Sequence, residues 1–185
     1  LSSILISIFA LLYTSSGGFK SVVMTDLFQF LFIYIGFIAV FIVLYLEAPS
    51  YINQKSSIYF IFNNLKDTDL LSIPGSLSWS YIVSWFFISL VTFIDPGFYQ
   101  RVYSGKDIHT VQQSIYISIF FWIAFDFLAI TTALYVYIIV PDININPYLY
   151  LLSSNILTPT LKILFFIALI SVVISTIDSY YLISG

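Results

Sequence analysis

Residues 27–46 carry no charged side chain. About 20 consecutive apolar residues is the length that crosses the hydrocarbon core of a bilayer as an α-helix. Within lipid every backbone N–H and C=O must be satisfied inside the protein, which a single helix achieves and a lone strand cannot. This stretch sets the solvent, and the solvent sets the fold class: all-α, a polytopic membrane helix bundle. Composition agrees. The chain of 185 residues is 60% hydrophobic and 8% charged, against about 25% charged in soluble domains, and its mean hydropathy is +1.01.

The apolar pattern predicts one transmembrane domain over residues 1–185, with spans at 1–14, 22–46, 79–95, 114–140 and 158–183. The chain opens with Leu1 inside apolar sequence and stops at Gly185 without a tail, so both ends read as cut and the first span as the end of a longer helix. Residues 1–12 lack a basic start and a small-residue cleavage site, and do not read as a signal peptide. Ser15-Ser16-Gly17-Gly18 is a tight break. Residues 48–78 form a long extramembrane loop, in which 51–65 read as a short interfacial helix. Residues 95–110 read as a compact loop holding Arg101, Lys106 and His109, and 141–147 as a turn with Asp142. Lys20, Arg101 and Lys106 lie in short connections on one side. Lys55 and Lys66 lie on the other, offset by Glu47, Asp67 and Asp69. That slight bias places the Gly-Gly and Arg101 connections in the cytoplasm.

Several functions are excluded. There is no basic run for nucleic acid. With no Cys and one His, disulfides, thiolate metal sites and paired-His motifs are absent, and no Gly-rich phosphate loop follows a strand. No arrangement here suits an enzyme, and His109 reads as solvated.

The informative residues are polar ones inside spans, because each is costly unless it faces protein or water. In Ser171-Val172-Val173-Ile174-Ser175-Thr176-Ile177-Asp178-Ser179, a period of 3.6 residues puts Ser171, Ser175, Asp178 and Ser179 on one stripe. Hydroxyl and carboxylate oxygens suit hard cations. Hydroxyls alone more often bond back to the preceding turn; Asp178 in the same stripe tips the reading towards function. Asp26 and Gln29 share a face at i, i+3, which fits either a functional carboxylate or an acid favoured by the helix dipole. Asp126, mid-span, reads as a polar tie to a neighbouring helix. Thr131 and Thr132 complete the set.

Three segments resemble the sodium:solute symporter family. Gly17-Gly18-Phe19-Lys20-Ser21-Val22-Val23-Met24-Thr25-Asp26-Leu27-Phe28-Gln29 is similar to the stretch entering its fifth core helix. Asp95-Pro96-Gly97-Phe98-Tyr99-Gln100-Arg101-Val102-Tyr103-Ser104-Gly105-Lys106-Asp107 resembles the Gln-Arg loop after the sixth. Ile174-Ser175-Thr176-Ile177-Asp178-Ser179 resembles the Ser-Thr-x-Asp-Ser segment of the eighth. All three occur in order across nearly the whole chain. The resemblance implies a LeuT-like inverted-repeat fold, here core helices four to eight, with its site near the bilayer midplane. It implies sodium held by the Ser175 and Thr176 hydroxyls and the Val172 backbone carbonyl, with further ligands from a first helix lying outside this chain. It also implies that Asp26, with Asp178 and Ser179, serves a second cation or a relay. Ile88 and Val91 stand where sugar-transporting members carry an Asn and an aromatic, which argues against sugar. Thr132-Ala133-Leu134 replaces a stretch that often holds Gly.

The resulting expectation is a secondary transporter in the plasma (inner) membrane. It imports a small solute on the sodium gradient by alternating access, with no cofactor and no nucleic-acid partner. Span 79–95 would line the solute pocket, where Trp85 and Phe86 face solute or merely pack. Two rivals stand beside it. One is a proton-coupled relative in which Asp26 or Asp178 titrates. The other is a non-transporting scaffold using the same polar residues as interhelical ties.

Overall fold

The computed structural model describes residues 2–53, 59–141 and 143–184. Lys55 of the expected interfacial segment and Asp142 of the expected turn lie outside them. Helix α1 (Ser2–Tyr51) is followed by α2 (Phe60–Leu65), α3 (Trp79–Ser89), α4 (Pro96–Tyr103), α5 (Ile108–Ile139), α6 (Pro147–Ser153) and α7 (Pro159–Ser184). Short 3₁₀ turns occupy Asp69–Leu71 and Leu90–Ile94. By length and composition three helical stretches can cross a membrane: Thr14–Tyr51, Ile108–Ile139 and Pro159–Ser184. The pair Trp79–Ile94 and Pro96–Tyr103, bent by 42°, makes a fourth if counted as one span.

α1 is two helices joined at Gly18, whose φ of 57° and ψ of −155° are non-helical. Only glycine adopts such a backbone at little cost, so the Ser-Ser-Gly-Gly break is a kink rather than a loop. Asp26 sits about two turns beyond it.

α1, α5 and α7 form the bundle. Gly36 meets Ala168 while Asp26 meets Ser175, so the partners run in opposite senses and α1 is antiparallel to α7. Phe30 and Tyr34 meet Phe121, and Phe41 meets Tyr135, so α1 and α5 run parallel. Phe37, with edge-on contacts to Phe125, Tyr148 and Phe165, centres a core continued by Val40, Leu44, Tyr135, Val136 and Leu151. Edge-on rings gain electrostatically from their quadrupoles as well as by dispersion. The core fills the end of the bundle away from Asp26.

The short helices arise from local caps. Asp95 accepts the Phe98 amide at 2.9 Å, and Pro96 occupies the first turn of α4, where its missing N–H costs nothing. The segment read as a loop at 95–110 is therefore largely helical. Asn146 caps α6 in the same way, accepting from the Tyr148 amide at 2.9 Å. Asp107 opens α5 by accepting the Thr110 amide at 2.8 Å. That bond and one from the Thr110 hydroxyl hold its carboxyl below the usual carboxylate range. A depressed pKa contributes stability above the ordinary carboxylate value, lost as pH falls through the lowered one. α2 docks on α5 by stacking Phe60 on Tyr135. In contrast, no residue of α3 is buried.

Candidate functional site

The polar residues gather where the middle of α1, α4 and the last turns of α7 meet. The period of α1 points Asp26 and Gln29 at α7, and the period of α7 returns Ser175, Asp178 and Ser179. The Ser175 hydroxyl donates to Asp26 Oδ1 at 3.0 Å. The Gln29 amide nitrogen donates to Asp178 Oδ2 at 3.3 Å. Asp178 is fully buried. Each carboxylate thus takes a neutral hydrogen-bond donor from the other helix across the α1–α7 seam.

A cation comes from α4. Arg101 Nη2 lies 3.5 Å from Asp26 Oδ2 and donates to the Ser179 hydroxyl oxygen at 2.9 Å. Its Nη1 donates to the Gly97 carbonyl at 3.2 Å, which ties the guanidinium along its own helix. Ser179 in turn donates to the Ser175 carbonyl at 3.1 Å. Asp26, Ser175, Ser179 and Arg101 thus form one connected network, with Gln29 and Asp178 beside it.

Val172 and Thr176 lie on the neighbouring side of α7. The Thr176 hydroxyl donates to the Val172 carbonyl at 3.0 Å. That bond spends the hydroxyl proton and, with the helical bond from the Thr176 amide, fills both lone pairs of the Val172 carbonyl, so the free lone pairs are those of the Thr176 hydroxyl and the carbonyl would have to give up a donor to meet a cation. Thr176 is exposed and Val172 half-buried. Together with Ser175 they border a cavity of about 340 Å³ also lined by Tyr34, Phe121 and Trp122. Tyr34 donates its hydroxyl to the Phe121 carbonyl on that wall. A larger cavity of about 640 Å³ opens between α4, α5 and α7; Ser175, Thr176 and Ser179 reach it from one side, Thr110, Ser114 and Ser118 from another, with Arg101 and Asp95 on its rim.

The other polar residues behave differently. Ser171 bonds back to Ile167 and Thr131 to the preceding turn, as hydroxyls in membrane helices commonly do. The Thr132 hydroxyl is buried with no hydrogen-bond partner among the described residues. Asp126 is exposed on α5 and makes no hydrogen bond or ion pair among the described residues. Sequence reasoning used Arg101 only for topology and missed it as a site residue. The available signal was its place one turn past Gly97, on a helix whose cap was written in Asp95-Pro96.

Long apolar helices packed around a cluster of carboxylates, hydroxyls and one guanidinium define the class: a polytopic helical membrane protein. More particularly, the sodium:solute symporter family matches residues 1–185, and the chain belongs to that family. Comparison with curated proteins and with solved structures gives no match. At the family level this is a protein of sodium-coupled solute transport, and its relatives are transporters rather than enzymes.

Proposed function

We propose that the protein imports a small solute on the sodium gradient by alternating access, in the plasma (inner) membrane, within a LeuT-like fold. Ser175, Thr176 and the Val172 carbonyl bind the coupling sodium. Asp26, Asp178 and Ser179 hold a second cation or relay the first towards the cytoplasm. The observation that carries this reading is the hydrogen bond from Ser175 to Asp26. It links the neutral oxygen ligands on one side of α7 to the carboxylates on the other, so an ion leaving the first has a charged oxygen within reach. The buried Gln29 Oε1, which has no hydrogen-bond partner among the described residues, supports a cation beside Asp178, since an unsatisfied acceptor there is costly.

The test is radiosodium binding to the complete transporter in detergent. Saturable binding should be selective for sodium over potassium. A Ser175→Ala/Thr176→Ala protein should bind sodium about tenfold more weakly, as expected for two neutral oxygen contacts. A well-folded transporter that binds no sodium would sink the reading. Uptake driven by a pH gradient instead would then favour the proton-coupled rival, and no uptake at all the scaffold.

A further inference from the structure

We propose that Arg101 is a resident counter-cation which sodium must displace from Asp26 and Ser179, and that its displacement unlatches α4 from α1 and α7. The inference rests on the reading above, in which Asp26 and Ser179 lie on the ion's route. The guanidinium now occupies the oxygens a cation there would need. One nitrogen, Nη2, is 3.5 Å from Asp26 Oδ2 and 2.9 Å from the Ser179 hydroxyl oxygen. Sodium and a guanidinium cannot share that pair, since two like charges at such spacing repel and both compete for the same lone pairs.

The same residue is the polar fastening between three elements. Asp26 belongs to α1, Ser179 to α7 and Arg101 to α4. α4 is otherwise held against α7 by close packing at Gly97, where an added Cβ would fall 2.7 Å from the Ile183 Cδ1. That contact is small and has one residue at its centre. Removing the guanidinium from Asp26 and Ser179 therefore leaves α4 held by little else on its polar side. The ion pair is also the kind that can open. The Arg101 side chain is 40% exposed and that of Asp26 24%, and Arg101 borders the 640 Å³ cavity with Asp95 on its wall. The displaced cation has room and a carboxylate to turn towards, and is not driven into lipid. Arginine suits the role because its planar fork lets Nη2 meet Asp26 and Ser179 while Nη1 is fixed on the Gly97 carbonyl.

Sodium arriving at Asp26 would then be coupled to a structural change, with α4 docked when Arg101 neutralises the site and free when sodium does. The test compares sodium-binding isotherms of the complete wild-type transporter, Arg101→Gln, Arg101→Lys, Asp26→Asn and the Asp26→Asn/Arg101→Gln pair. Removing a partly exposed competitor should tighten sodium binding about threefold to fivefold in Arg101→Gln. Arg101→Lys, which keeps the charge, should stay near wild type. In the Asp26→Asn background the Arg101 change should have no further effect on sodium affinity. A purely structural Arg101 would weaken binding or leave it unchanged, and either result in a folded Arg101→Gln overturns the latch while leaving the sodium site standing. Absence of sodium binding in wild type overturns both.

A second measurement needs no variant. Limited trypsin digestion of the wild-type transporter, read by mass, should cut after Arg101 faster in sodium than in potassium, because the freed guanidinium can enter the protease. Equal cleavage in both salts overturns the proposal even where Arg101→Gln fails to fold.

Discussion

An Asp26→Asn transporter should fold, reach the membrane, and bind sodium about a hundredfold more weakly, a loss of roughly 3 kcal/mol typical of removing an ionised hydrogen-bonding partner. The substitution keeps the shape of the side chain. Its amide oxygen can still accept the Ser175 hydroxyl, now at 3.0 Å from Oδ1. On the other side an N–H₂ group would replace Oδ2 and face Arg101 Nη2, now at 3.5 Å, so two donors would meet where a charge-assisted contact had been. The site would lose the Asp26 charge that draws sodium and holds the guanidinium alike. Sodium isotherms and sodium-driven solute uptake check this, with Asp26→Glu as the control that preserves charge. Unchanged sodium affinity in a folded Asp26→Asn protein would remove Asp26 from the ion's route and leave it a structural acid.

Gly36→Ala should destabilise the bundle by roughly 1–3 kcal/mol, the usual cost of overpacking, and Ala168→Gly in the same chain should restore most of the loss. A Cβ built on Gly36 falls 2.5 Å from the Cβ of Ala168 and 3.4 Å from the Leu164 carbonyl oxygen. At the first distance something must move, and both atoms belong to stiff groups close to the backbone. In lipid no hydrophobic force presses helices together, so close packing through small residues takes its place. Gly36 and Ala168 are such a pair, and they set the spacing of the two helices that carry Asp26 and Ser175. Unfolding in mixed micelles reads the stability, and sodium affinity should fall and recover in parallel with it. Failure of Ala168→Gly to rescue would show that the cost arises from helix propensity or another neighbour, not from this contact.

Much of the site was legible along each helix. The stripe of Ser175, Asp178 and Ser179 and the face shared by Asp26 and Gln29 follow from a period of 3.6, which is local geometry. The kink at Gly18 was legible as a break for the same reason, since a Gly-Gly pair interrupts a helix within a few residues. Ser171 belonged to the same stripe yet only bonds back to Ile167, because a hydroxyl can satisfy itself within its own helix whereas a carboxylate cannot. The helical character of 95–110 was written in the Asp95-Pro96 cap, but polar composition there also fitted a loop. α6 was hidden similarly behind Asn146-Pro147.

By itself the sequence determined the solvent, the helices and which residues face inward together. Scarcity of charge and helical periodicity act over a few turns, and lipid penalises any exception to them. Only the tertiary structure decided the partners. Gln29 meets Asp178 across a separation of 149 residues, as does Asp26 with Ser175, and Arg101 reaches Ser179 across 78. No local rule chooses among such distant groups. Their meeting depends on the antiparallel packing of α1 and α7 at Gly36 and Ala168, and on the packing of α4 against α7 at Gly97 and Ile183.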